Sequence, residues 1–162
     1  SIYLSKMLEV CSTTLPQHVL PLIYEDKRFI KYTKERIEKY KSRAILAEEI
    51  LWNLKEIFFV RPKWAFYLSV VFNFSFINKD YNPKIKNKEL DLFIKESLKD
   101  QKRFDKKFCY YMLANTWVCS VPLSWFNTDH EWFRITLLEE DIKKFREILL
   151  LIKKSIVQYK ID

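Results

Sequence analysis

Apolar positions recur along this chain at two different spacings, and each change of spacing marks a change of element. From Phe29 onward Tyr32 or Thr33, Ile37, Tyr40, Ala44, Ala47, Leu51 and Leu54 follow at alternating steps of three and four residues. That is the apolar stripe of one long helix ending near Glu56. Ahead of it, residues 1 to 16 read as an irregular lead-in ending at Ser12-Thr13-Thr14-Leu15-Pro16, where hydroxyl side chains and a proline signal a helix start, and residues 17 to 26 as a short helix.

Past the long helix, Ile57-Phe58-Phe59-Val60 reads as a short strand and Ala65 to Phe72 as a longer one. Between them Pro62 favours the second position of a turn, whose fourth position is Trp64. Asn78 to Lys88 is a polar loop, followed by a lysine-rich helix over about 88–99 and an amphipathic helix over about 104–115 that carries Phe104, Phe108, Tyr111, Met112 and Ala114. Trp117 to Val121 is expected as a strand and Trp132 to Leu138 as its partner across a polar turn. A last helix, about Glu139 to Tyr159, shows Ile142, Phe145, Leu149, Ile152 and Ile156 on one face. Helices and strands interleaved in this order, with hairpin-length connections, predict an α+β fold: a small mixed or antiparallel sheet covered by helices.

Composition alters this picture in one respect. The 162 residues include no glycine, where average usage predicts about eleven. Five tryptophans are present instead. The net charge of +8 comes from lysines interspersed with glutamate and aspartate along helices, a solvated surface with no aromatic-basic recognition pattern, so nucleic acid is not an expected partner. No apolar run approaches the roughly 18 residues needed to cross a bilayer, and the first residues lack a signal-peptide layout, so the expectation is a cytoplasmic protein without a membrane partner. Cys11, Cys109 and Cys119 have no metal-ligand spacing and sit among apolar neighbours, which predicts buried free thiols and no metal site. His18 and His130 are far apart in sequence and are expected on the surface.

One arginine, Arg134, lies inside the apolar run that follows the polar turn, flanked by Phe133, Ile135, Leu137 and Leu138. A partly desolvated guanidinium needs an anion or a set of carbonyls to remain charged. The sequence pattern leaves both open.

Four segments together resemble a known family. Arg61-Pro62-Lys63-Trp64-Ala65-Phe66-Tyr67-Leu68 is similar to the P-x-G-A-F-Y strand of the class I/II, fold-type I aminotransferases that use pyridoxal phosphate. Phe108 to Ala114 followed by Val118-Cys119-Ser120-Val121-Pro122-Leu123-Ser124 resembles their helix and strand leading to a V-P-G-S or V-P-L-S turn. Phe133-Arg134-Ile135-Thr136 resembles their F-R-I strand, and Cys11 to Gln17 with the long helix after it resembles the passage from their large domain into the small one. The resemblance runs in order along essentially the whole chain.

It implies residues 1–28 as the lead-in from a large domain and 29–162 as the C-terminal small domain, with a lysine-rich insertion near 78–103. It also implies transamination between an amino acid and a 2-oxo acid, a homodimer in the full-length enzyme, and pyridoxal 5'-phosphate held mainly by the large domain. The family's Schiff-base lysine, the aspartate facing the pyridine nitrogen and the phosphate-cup residues belong to that domain, so no catalytic or cofactor-binding residue is assigned here. Arg134 takes the role of the arginine that binds the substrate α-carboxylate, and the turn Phe126 to His130 lies near it. Trp64, Trp117, Trp125 and Trp132 stand where the family places glycine, as expected if UGA codons meant as glycine were translated as tryptophan. Trp52, on the long helix, meets no such demand. Two rival readings are a non-catalytic remnant serving as an interaction or dimerisation domain, and a basic nucleic-acid-binding protein.

Overall fold

The computed structural model describes residues 13–59, 61–62 and 65–161, the side chain of Phe59 excepted. Cys11, Ser12, Lys63 and Trp64, and with them the turn expected after Pro62, lie outside the described residues. Two compact units are distinguished, one up to Lys39 and one from Tyr40 onward. In the first, α1 (Thr14–Glu25) starts three residues before the expected short helix, and Asp26 is the single residue before α2 (Lys27–Leu51). Asp26 is extended and its carboxylate accepts the Arg28 N–H at 2.8 Å, which starts the second helix. Leu15, Leu22 and Ile23 of α1 are exposed.

The second unit holds β1 (Ile57–Phe59), β2 (Tyr67–Phe72), α3 (Lys88–Ser97), α4 (Phe104–Thr116), β3 (Val121–Pro122), a 3₁₀ turn over Leu123–Phe126, β4 (Trp132–Thr136) and α5 (Ile142–Val157). The architecture is α+β, as the periodicity predicts. The four strands form one antiparallel sheet in the order β1-β2-β4-β3. Both hairpins pair as expected, and the sheet is completed by β2 against β4, with Leu68 opposite Ile135 and Val70 opposite Phe133.

Two boundaries differ from the sequence pattern. α2 ends at Leu51 rather than near Glu56, and Trp52 lies in the turn just beyond it. The expected strand Trp117 to Val121 shrinks to Val121–Pro122, because Trp117 sits in the left-handed region at φ 60° as the residue that closes α4. Its N–H returns to the Leu113 carbonyl at 2.9 Å.

One face of the sheet is buried and the other is not. Leu68, Val70, Phe72, Phe133 and Ile135 point into a core completed by Ala44, Ala47 and Leu51 of α2, Phe104, Phe108 and Met112 of α4, and Phe145, Leu149, Ile152 and Ile156 of α5. Its centre is aromatic: Phe72 meets Phe108 edge-on at 5.0 Å and Phe108 lies 4.9 Å from Phe133. Ile142, read as part of the α5 stripe, is exposed, because it is the first residue of the helix. A smaller cluster of Ile85, Ile94 and Tyr111 seats the lysine-rich α3 on α4. α3 and α5 are capped by Asn87 and Asp141, whose side chains accept the N–H groups of Leu90 and Lys143 at 3.1 and 2.8 Å.

Candidate functional site

The uncovered face of the sheet follows from the period of two. Phe133 and Ile135 face inward, so Trp132, Arg134 and Thr136 face outward, and the Cα partners of Arg134 on either side are Ser69 of β2 and Val121 of β3. Phe133, Ile135 and Leu137, which made the arginine look submerged in the sequence, therefore lie on the core side. What surrounds the guanidinium comes from other segments. Its carbon lies 4.2 Å from the centroid of Tyr67, on β2, and 4.5 Å from that of Phe126, in the turn after β3.

The charge is thus covered by one ring from each flank of β4. Two cation–π contacts are worth about 0.5–2 kcal/mol each, yet they leave the five N–H donors of a guanidinium in its plane unserved. Among the described residues Nε of Arg134 is buried with no hydrogen-bond partner, and no ion pair there reaches the side chain. Burying such a donor without a partner costs about 1–3 kcal/mol. An in-plane acceptor with two oxygens, a carboxylate above all, fits what is missing.

Arg43 shows the alternative environment within the same molecule. It is buried near the end of α2 and its Nη1 donates to the Leu137 carbonyl at 2.9 Å. The carbonyl-satisfied arginine that the sequence left open as a reading for Arg134 is found at Arg43.

Of the turn expected beside Arg134, only Phe126 has a described contact with it. The carbonyls of Thr128 and His130 accept from Nη2 of Arg103 at 2.7 and 3.4 Å, and Glu131 accepts the Phe104 N–H at 2.8 Å. These bonds pin residues 128–131 to the start of α4. His130 is exposed and stacks on Trp132 at 5.1 Å, and His18 is exposed as expected. Tyr67 was legible only as part of a motif; its approach to Arg134 depends on β2 pairing with β4.

The cysteines divide. Cys109 is buried, receives the Ser120 hydroxyl at 3.1 Å, and burial pushes its thiol up to about 12. Cys119 is exposed, against expectation, because the sheet is entered only at Val121, two residues further on; Cys11 is outside the described residues. A groove of about 710 Å³ beside Cys119, lined by Thr136, Glu139, Glu140 and Lys144 among others, does not include Arg134. Among the described residues no three His, Cys, Asp or Glu side chains are placed to hold a metal ion, and no described helix is long and apolar enough to cross a membrane.

No family model matches the chain. Over 159 residues, 98% of its length, it is 40% identical to an uncharacterized aminotransferase of Methanocaldococcus jannaschii. The chain is similar in sequence to an aminotransferase. It spans 37% of that relative's length.

Proposed function

We propose that this chain is the C-terminal, small-domain part of a pyridoxal-phosphate-dependent aminotransferase of fold type I. The observation that carries the reading is the 40% identity, over nearly the whole chain, to a protein named an aminotransferase. The open-face arginine supports it: Arg134 offers a ring-covered guanidinium whose Nε has no partner among the described residues, of the kind that binds a carboxylate edge-on.

On this reading Arg134 binds the α-carboxylate of the amino acid and, in the return half-reaction, that of the 2-oxo acid. Two parallel N–H···O bonds fix the carboxylate plane, and with it the direction of the bonds at Cα. The rings of Tyr67 and Phe126 restrict approach to the guanidinium edge.

The described surroundings of Arg134 are two rings, with a serine and a valine on the flanking strands. They offer no amine to bond the cofactor's aldehyde and no carboxylate to face its pyridine nitrogen. Among the described residues, the surroundings of Arg134 alone do not supply the cofactor's site, and in the proposal the remainder of a longer enzyme does. A homodimer of that enzyme, acting in amino acid metabolism in the cytoplasm, belongs to the same proposal.

Arg134→Lys in the complete enzyme tests the reading. Losing the planar fork while keeping the charge raises KM for every amino-acid substrate, by about tenfold for each 1.4 kcal/mol of binding lost. An unchanged KM across substrates would overturn the assignment.

A further inference from the structure

We propose that Asp105 is a positioning residue of the anion site: by holding both donors of Ser124 it fixes the turn that lays Phe126 against Arg134. The inference rests on the reading of Arg134 as a carboxylate site.

Asp105 lies in the first turn of α4 and is fully buried. A carboxylate so placed must be hydrogen-bonded, and its partners are specific. One oxygen accepts the Ser124 N–H at 2.8 Å; the other accepts the Ser124 hydroxyl at 3.0 Å and the Lys106 N–H at 2.8 Å. Two of three bonds therefore go to one residue of the 3₁₀ turn Leu123–Phe126, across 19 positions of sequence.

Phe126 ends that turn and is 54% exposed, so apart from its contact with Arg134 little packing holds it. Asn127 follows in the left-handed region at φ 54° and takes the chain away from the turn. The placement of the Phe126 ring over Arg134 is accordingly set by the backbone of the turn, and the side-chain anchor of that backbone is Asp105. The anchor must be a carboxylate. Ser124 presents an N–H and an O–H, and two acceptor oxygens serve both, whereas an amide at the same place offers one acceptor and one donor.

A capping role alone would make Asp105 matter to α4 and to nothing else, so the test reads Arg134 itself. In the intact chain the side-chain resonances of Arg134, assigned by their loss in Arg134→Lys, carry ring-current shifts from Tyr67 and Phe126. Phe126→Ala removes the second contribution. Asp105→Asn is expected to remove the same contribution, and the double variant Asp105→Asn/Phe126→Ala to show no further change, because the two act in series. An Arg134 signal left in place by Asp105→Asn, or additive losses in the double variant, would overturn the proposal. Should Asp105→Asn not fold, Ser124→Ala removes the hydroxyl bond alone and is read the same way: a reduced shift supports the proposal, an unchanged one rejects it. Acetate titrated into the wild-type chain reports separately on the carboxylate reading. An Arg134 resonance that acetate does not move rejects that reading, while the ring-current comparison still decides the role of Asp105.

Discussion

Arg134 and Tyr67 meet face to ion across the β2–β4 pair, with the guanidinium carbon 4.2 Å from the ring centroid, although 66 residues separate them between positions 67 and 134. Among the described residues a charge on this sheet face is held by a ring rather than by a counter-ion, and its Nε is left without a partner. Replacing Tyr67 by leucine keeps the strand and removes the contact. A loss of about 0.5–1 kcal/mol in unfolding free energy is expected, the scale of an exposed cation–π pair, measured by urea denaturation.

Arg134 itself should show no such loss. Its Nε is buried without a partner among the described residues, so Arg134→Met removes a stranded donor and keeps the apolar stem. The relieved donor offsets the two lost cation–π contacts, so stability is expected to stay within about 1 kcal/mol of wild type while acetate binding is lost. A variant that costs 2 kcal/mol or more, on the order of a broken buried network, would argue that the side chain is structural.

Trp117 is the one tryptophan of those assigned to glycine positions that stands at positive φ among the described residues; Trp125 lies in the 3₁₀ turn and Trp132 in β4, neither at positive φ. A side chain at φ 60° costs about 1–2 kcal/mol, and Trp117 recovers little by packing because it is 84% exposed. Trp117→Gly should therefore stabilise the chain by about 1 kcal/mol after the larger entropy of unfolded glycine is deducted. The denaturant midpoint should rise at constant slope. The codon for residue 117 is a further check: UGA fits the glycine reading, and UGG rejects it there.

Alkaline pH should weaken the fold through Cys109. Burial raises its thiol from 9.0 to about 12 in the native chain, so below pH 9 both folded and unfolded forms keep the proton and nothing is lost. As pH rises from 9 toward 12 the unfolded thiol ionises first, and stability falls. Tyr159, also raised by burial from 10.0, adds to the loss from about pH 10 upward. Cys109→Val should flatten the fall between these values in pH-dependent urea melts. Iodoacetamide should label Cys119 in the native chain and spare Cys109.

The sheet's inner layer allows a last check. Phe108 and Phe133 are fully buried and pack on each other, so either change to alanine should cost about 3–5 kcal/mol, a large part of the 5–15 kcal/mol typical of a domain. Loss of the cooperative melt in both variants is the expected readout.

The kinds of elements and their order follow from the pattern of residues. Steps of three and four residues mark a buried helix stripe, and Phe108 and Leu149 could be placed on the covered faces of their helices on that ground alone. The pattern also singled out Arg134, since an arginine between apolar neighbours is conspicuous in one dimension. Periodicity describes a residue's own element and says nothing about which element lies against it. That β2 sits beside β4, that Phe133 and Ile135 turn away from the charge, and that Tyr67 and Phe126 cover it are properties of the packed fold. The same limit explains the rest: Ile142 kept the stripe's spacing but lies beyond the reach of the core, Cys119 stands two residues short of the sheet, and Asp105 looked like any acidic residue at a helix start until Ser124 came across to meet it.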